Sequence, residues 1–147
     1  MLVEFQQALA DLVASPALCR SARKDPALLR QTYDLTDREH ARLLGMLAQR
    51  GMALNCMLYR ANRLAPLALN LHDFCTALGK RLGPLLTEYT ALHPNTNVHF
   101  FGECARFCAF IEDKQRAGLA LEPAAMQAFA RERLVVQLNL EATETVL

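Results

Sequence analysis

The 147-residue chain has no tryptophan, one isoleucine and six valines, and aromatic residues make up only 7% of it. Because β-branched and aromatic residues favour strands, their scarcity argues against a mostly β fold. Leucine and alanine are abundant instead, with 27 and 23 copies, and both have high helix propensity. The composition predicts an all-α protein, which we expect to be a single-domain bundle of about seven or eight short to medium helices.

The sequence also lacks a charge excess and any segment typical of membrane insertion or export. The formal net charge is only +1, so no strong field attracts nucleic acid or anionic lipid. No apolar run approaches the ~18 residues of a membrane span, and the N-terminus has neither a cationic segment nor a signal-peptide cleavage pattern. The five cysteines, an odd number, lie mostly in apolar helical segments and are interpreted as reduced core thiols. We expect a cytoplasmic protein that binds neither nucleic acid nor membrane.

Motifs for catalysis, metal binding and phosphate binding are missing as well. There is no C-x-x-C, no H-E-x-x-H and no glycine-rich phosphate loop. We therefore expect no catalytic residue, and no metal or cofactor, in this chain. The best metal candidates are Cys104 and Cys108, which share a helix face at i, i+4, with His99 close in sequence. A free-standing metal- or cofactor-binding protein built on these three residues stays as an alternative.

Local signals mark where helices begin and end. Ser15 precedes Pro16, which favours a helix start, because serine caps a helix and proline is tolerated in its first turn. Thr36 and Glu39 form a capping-box pattern, in which each side chain satisfies a backbone donor at the helix start. Pro66 interrupts the helical spacing, so we expect one helix to end there and another to follow.

The segment 93–97 (HPNTN) is the clearest loop in the sequence. It divides the expected domain 1–147 into N-terminal helices over residues 1–92 and a C-terminal helical unit over residues 98–140. Apolar and polar residues alternate over 136–140 (VQLNL), which fits a short C-terminal strand. A helix is favoured, because four apolar residues upstream and within this segment repeat every four positions: Met126, Ala130, Leu134 and Leu138.

Residues 52–64 keep helical spacing and have two distinct faces. One face is apolar and is expected to point inward: Leu54, Met57, Leu58 and Ala61. The other is a polar ridge, which includes the neighbouring Arg60: Asn55, Tyr59, Arg60, Asn62 and Arg63. Amide, phenol and guanidinium groups on one helix suit hydrogen bonding to a peptide backbone or to another protein. An intramolecular role, in which these residues hold nearby loops, stays equally open.

This segment belongs to a longer stretch that resembles a known family. Residues 55–89 are NCMLYRANRLAPLALNLHDFCTALGKRLGPLLTEY, and the most telling parts are Leu58–Leu64 and Cys75–Gly79. The stretch, extended to about Leu35–Phe110, is similar to the MbnC-like helical partner proteins of multinuclear non-haem iron-dependent oxidative enzymes. These proteins act in the biosynthesis of peptide natural products.

The resemblance implies a non-catalytic accessory subunit with two partners. It would bind a ribosomally made precursor peptide, expected to bear cysteine, and present it to the iron-dependent enzyme, which would hold the iron. The polar ridge matches family motif positions and would contact peptide or partner enzyme. In a member of the family the peptide's leader adds as a strand to a small sheet, whereas here at most one strand, over 136–140, is expected. A subunit that binds only the enzyme therefore stays open.

A second class fits the composition nearly as well. The opening pattern of short helices followed by Leu35-Thr36-x-x-Glu39 is similar to the small all-helical subunit of LigAB-type extradiol dioxygenases. Such a subunit would cover a large catalytic partner that acts on an aromatic substrate, and it would bind no peptide.

Overall fold

The computed structural model of the protein describes residues 2–97 and 99–145. Within these residues the chain forms nine α-helices and one short 3-10 helix and contains no strand, so the expected all-α class is confirmed. The α-helices are α1 (Leu2–Ala14), α2 (Pro16–Lys24), α3 (Leu28–Thr32), α4 (Asp37–Leu47), α5 (Arg50–Asn70), α6 (His72–Leu78), α7 (Leu82–Leu92), α8 (Phe100–Arg116) and α9 (Pro123–Thr145). The 3-10 helix, Gly79–Arg81, lies between α6 and α7. Over the two described ranges, no helix has both the length and the apolar character needed to cross a membrane.

Packing divides the chain into two compact units, Met1–Asn62 and Arg63–Leu147. The division lies within α5, and not at the 93–97 loop, where the sequence predicts an internal break. That loop belongs to the second unit and is hydrogen-bonded to it: the backbone N–H of Asn97 donates to Glu103 at 2.6 Å, and Arg106 donates to the carbonyl of Asn95 at 2.8 Å. This polar loop therefore marks no boundary, because the buried Glu103 and the half-buried Arg106 hold it in place.

The first unit contains α1 to α4 and the start of α5. Both predicted helix starts are confirmed: the Ser15 hydroxyl accepts a hydrogen bond from the N–H of Leu18, and Thr36 with Glu39 makes both hydrogen bonds of the capping box. The helices bury mainly small and medium apolar side chains, together with one tyrosine, against each other. This core consists of Ala8, Leu12, Cys19, Ala22, Leu29, Tyr33, Leu43, Leu47, Met52 and Cys56.

The second unit has a larger core rich in aromatic rings. Phe74 and Phe129 lie with ring centroids 4.8 Å apart. The start of α6 has no local capping side chain, and Glu132 of α9 fills that role by accepting the N–H groups of Asp73 and Phe74, both at 2.9 Å. The core consists of Leu67, Leu71, Phe74, Leu78, Leu85, Tyr89, Cys104, Phe107, Cys108, Phe110, Ile111, Ala125, Ala128, Phe129 and Val136.

The expected helix end at Pro66 is wrong, because α5 continues through it to Asn70. Proline removes one backbone hydrogen bond from a helix interior. Burial offsets this loss, because Leu67, directly after the proline, and Leu71, just beyond the end of α5, are 1% and 0% exposed in the core of the second unit. The Asn70 side chain also donates to the Pro66 carbonyl at 2.8 Å.

The C-terminal segment 136–140 is helical, as favoured, and the alternative of a short strand is wrong. The face of this helix that is buried nevertheless differs from the expected one. Val136 and Phe129 are buried, whereas the four-residue repeat that indicated a helix is exposed. That exposed stripe consists of Met126, Ala130, Leu134 and Leu138.

Candidate functional site

The polar ridge predicted on α5 does not form one surface. Asn55 and Asn62 are exposed, and Tyr59 and Arg60 are half-buried. Arg63 is only 4% exposed and belongs to the second unit, where its Nε donates to Glu103 at 3.3 Å. Four of the five residues are therefore accessible to a partner, and the fifth is part of a buried ion pair.

The apolar face of the same segment, expected to point inward, is exposed. Leu54, Met57 and Leu58 are 55%, 67% and 52% exposed. Met52 and Cys56 are buried in the core of the first unit in their place. Both faces of the segment have helical spacing, so spacing alone does not show which one is buried. The neighbouring helices decide this, because they bury Cys56 next to Cys19.

Helices α2 and α5 border an open cleft of about 430 Å³ in the first unit. Its lining includes three arginines, two methionines and two cysteines but no carboxylate: Pro16, Cys19, Arg20, Arg23, Met52, Ala53, Cys56, Met57 and Arg60. Arg23 donates to the Leu47 carbonyl at 2.9 Å. Arg20 and Arg60 form no ion pair with the described residues. The cleft therefore combines an apolar surface with cationic groups that are free to bind an anion.

The two cysteines of this cleft lie against each other. Their Sγ atoms are 4.0 Å apart, and both thiols donate to the Leu12 carbonyl, at 3.0 Å from Cys19 and 3.4 Å from Cys56. Burial, and then the neighbouring Cys56, raise the pKa of Cys19 to about 11, although Arg23 and Arg20 oppose this shift. Sequence spacing gives no sign of the pair, because its members are 37 residues apart on different helices.

A second cleft, of about 410 Å³, lies between α8 and α9 in the second unit. Its lining has the opposite charge balance, with three glutamates and one arginine: Glu112, Glu141, Glu144 and Arg133. Arg133 is already paired with Glu112 at 2.7 Å. This cleft is therefore unsuited to an anionic ligand.

The second unit also contains a buried polar network around Glu103, which is 1% exposed. One carboxylate oxygen accepts from the hydroxyl of Tyr89 and from Arg63. The other accepts from Arg106 at 2.9 Å and from the backbone of Asn97 at 2.6 Å. Arg63 also donates to the Pro94 carbonyl. The network joins α5, α7, α8 and the 93–97 loop, so it holds structure and exposes no reactive group.

The charge of Glu103 makes the stability of this network depend on pH. Burial by itself would raise the pKa of Glu103, but hydrogen bonds from Tyr89, Asn97 and Arg106 and the charge of Arg63 outweigh burial and lower it below its usual 4.5. Because the pKa is lower in the folded chain, the stabilisation is complete above pH 4.5 and is lost as the pH falls through the folded value. We expect the difference in unfolding free energy between the wild type and Glu103→Gln, measured by urea denaturation, to shrink over that range. A difference independent of pH would contradict this assignment.

The metal candidates of the sequence analysis do not converge. Cys104 and Cys108 are buried, and Cys104 donates to the Pro66 carbonyl at 3.3 Å, whereas His99 is exposed at the start of α8. Among residues 2–97 and 99–145, no group of three or more histidine, cysteine, aspartate or glutamate side chains is placed to hold a metal ion.

Comparison with models of protein families, with curated proteins and with solved structures gives no match to this chain. The chemistry of the clefts is therefore the basis for assigning a function.

Proposed function

We propose that this chain is a non-catalytic accessory subunit that binds a ribosomally made precursor peptide and an iron-dependent oxidative enzyme during peptide modification. The observation that carries the proposal is the arginine-lined cleft between α2 and α5, which is open, partly apolar and free of carboxylates. The resemblance of residues 55–89 to MbnC-like partner proteins supports it, because α5 supplies one side of that cleft. The iron belongs to the partner enzyme.

The cleft suits an acidic, amphipathic segment of peptide. Guanidinium groups bind carboxylates through paired, charge-assisted hydrogen bonds, and Arg20 and Arg60 have no competing ion pair in the described chain. The exposed Met57 lines the cleft, and Leu54 and Leu58 are exposed on the same helix. A volume of about 430 Å³ accommodates a few side chains of a bound segment.

The polar ridge keeps part of its proposed role. Arg60 lines the cleft, and Tyr59 is half-exposed one residue before it. The exposed amides of Asn55 and Asn62 are free to bind the peptide backbone. Arg63 is assigned to the buried ion pair with Glu103 and is left out of the binding surface.

Charge reversal in the cleft is expected to abolish peptide binding. The probe is a fluorescein-labelled synthetic peptide of about 20 residues that repeats glutamate and leucine at helical spacing. Arg20→Glu/Arg60→Glu removes two guanidinium groups that would pair with the peptide's carboxylates, and the new glutamates repel those carboxylates. We therefore expect the dissociation constant, measured by fluorescence anisotropy, to rise more than about tenfold.

The matched control carries the same change of charge on another part of the first unit. Arg38 and Arg42 lie on α4, are exposed and do not line the cleft. We expect Arg38→Glu/Arg42→Glu to bind the peptide within about threefold of the wild type, because only long-range attraction is lost. Equal weakening by the two double variants would show that binding depends on net charge and would overturn the proposed cleft.

The accessory role requires a test with the natural partners. The chain is co-expressed with any oxidative enzyme and any short cysteine-bearing peptide that the neighbouring genes encode, and the peptide is analysed by mass spectrometry. We expect a change in peptide mass only when the chain is present, and loss of that change with Arg20→Glu/Arg60→Glu. Full modification without the chain would contradict the proposal.

A further inference from the structure

Four sulfur-containing side chains line one cleft in the first unit. Cys19 comes from α2, and Met52, Cys56 and Met57 come from α5. Thiolate and thioether sulfur are soft ligands, which favour Cu(I) over hard divalent cations. The arrangement is independent of the peptide proposal, because it depends on the sulfur atoms and not on the ability of arginines to bind carboxylates.

The two thiols are spaced to share a single ion. Their sulfurs are 4.0 Å apart, which is too far for a disulfide, whose bond is about 2.05 Å long. A zinc–thiolate bond is about 2.3 Å long, so two sulfurs bound to one ion of similar size lie at most about 4.6 Å apart. The observed distance of 4.0 Å is within this limit. Both thiols donate to the Leu12 carbonyl oxygen, so the two sulfurs lie on the same side of α1, and these hydrogen bonds are given up when the thiol protons leave.

The available ligands favour Cu(I), a soft monovalent ion, over zinc. Structural zinc takes four ligands from cysteine, histidine and carboxylate, whereas this cleft offers two cysteines and neither of the other two types. Cu(I) favours sulfur and is satisfied by thiolate and thioether groups. Met52 and Met57 therefore supply the kind of additional ligand that Cu(I) accepts.

The positive charges of arginines in the cleft offset the negative charge of such a site. Both thiol protons leave when the ion binds, so the monovalent ion and the two thiolates together carry one net negative charge. Burial and Cys56 raise the pKa of Cys19, whereas the charges of Arg23 and Arg20, which line the same cleft, oppose that rise. The arginines thus stabilise the anionic complex of metal and thiolates.

We infer that Cys19 and Cys56 form a binding site for one Cu(I) ion at the base of the cleft between α2 and α5. The reaction is a proton exchange without oxidation or reduction: two S–H bonds break, two S–Cu bonds form, and two protons pass to solvent. The bound Cu(I) gives the cleft a group that can bind a further sulfur ligand.

The test is a competition for Cu(I) under anaerobic, reducing conditions. The reduced chain is titrated into the coloured complex of Cu(I) with bicinchoninate, and the loss of absorbance measures transfer of copper to the protein. We expect the wild type to remove one Cu(I) per chain and Cys19→Ala/Cys56→Ala to remove none. The control, Cys104→Ala/Cys108→Ala, lacks two buried cysteines of the second unit and is expected to match the wild type.

Two outcomes overturn the site: a wild type that removes no copper, and a Cys19→Ala/Cys56→Ala variant that removes as much as the wild type. Circular dichroism shows whether each variant keeps its helices. If Cys19→Ala/Cys56→Ala loses them, X-ray absorption on the copper-loaded wild type decides the question. A first shell containing only sulfur supports the site, and nitrogen or oxygen ligands contradict it. Neither experiment involves a peptide, so failure here is distinct from failure of the proposed function.

Discussion

Replacing Glu103 with alanine is expected to lower the free energy of unfolding by about 3–5 kcal/mol, because Glu103 is the only carboxylate among the described residues that pairs with the buried Arg63 and the half-buried Arg106. The Arg63 side chain is 2% exposed, and its Nη2 already lacks a hydrogen-bond partner among the described residues. Without Glu103 its positive charge remains buried, and the Pro94 carbonyl is then its only acceptor among residues 2–97 and 99–145. The Tyr89 hydroxyl and the backbone N–H of Asn97 each lose the acceptor of a hydrogen bond as well. Urea denaturation followed by circular dichroism measures the loss.

An exposed ion pair provides the control. Glu88 pairs with Lys114 at 2.8 Å, with side chains 46% and 31% exposed. Because solvent screens such a pair, Glu88→Ala is expected to cost less than about 1 kcal/mol. Similar losses for Glu103→Ala and Glu88→Ala would show that burial adds nothing to the Glu103 network.

Replacing Phe74 with alanine is expected to destabilise the second unit by about 3–5 kcal/mol. Phe74 is 0% exposed and lies 4.8 Å from the ring of Phe129, so truncation leaves a cavity and removes an aromatic contact. The side chain also lies in the first turn of α6, whose N–H groups depend on Glu132. The expected result is a lower urea midpoint for the transition that unfolds the second unit.

Leu69 is the matched apolar position for this prediction, because it lies in the same unit but is 76% exposed. We expect Leu69→Ala to change the unfolding free energy by less than about 0.5 kcal/mol. A small effect of Phe74→Ala, or a large effect of Leu69→Ala, would mean that the described core does not carry the stability of this unit.

Local signals predicted much of the secondary structure. Ser15 and Thr36 act through hydrogen bonds to residues three positions away, so the sequence contains both partners of each bond. The prediction that a helix ends at Pro66 was wrong because the compensating contacts are not local. The cost of the proline to a helix is local, whereas the burial of Leu67 and Leu71 that offsets the cost depends on helices far along the chain.

The candidate site was predicted only in part. Arg60 was identified and lines the cleft, but Arg20, Cys19 and Cys56 belong to the cleft because α2 and α5 lie together in the first unit. Arg63 appeared similar to its polar neighbours in sequence. Glu103, 40 residues away, makes it a buried structural residue.

Composition and spacing were sufficient to determine the all-α class and the helix starts at Pro16 and Asp37, whereas they only favoured a helix over a strand for residues 136–140. Helix propensity and capping act within a few residues, so one sequence contains all that they need. Tertiary packing alone decided which face of α5 and of α9 is buried, because each helix has more than one apolar face. The neighbouring helices cover Cys56 and Val136 and leave Leu58 and Leu138 exposed.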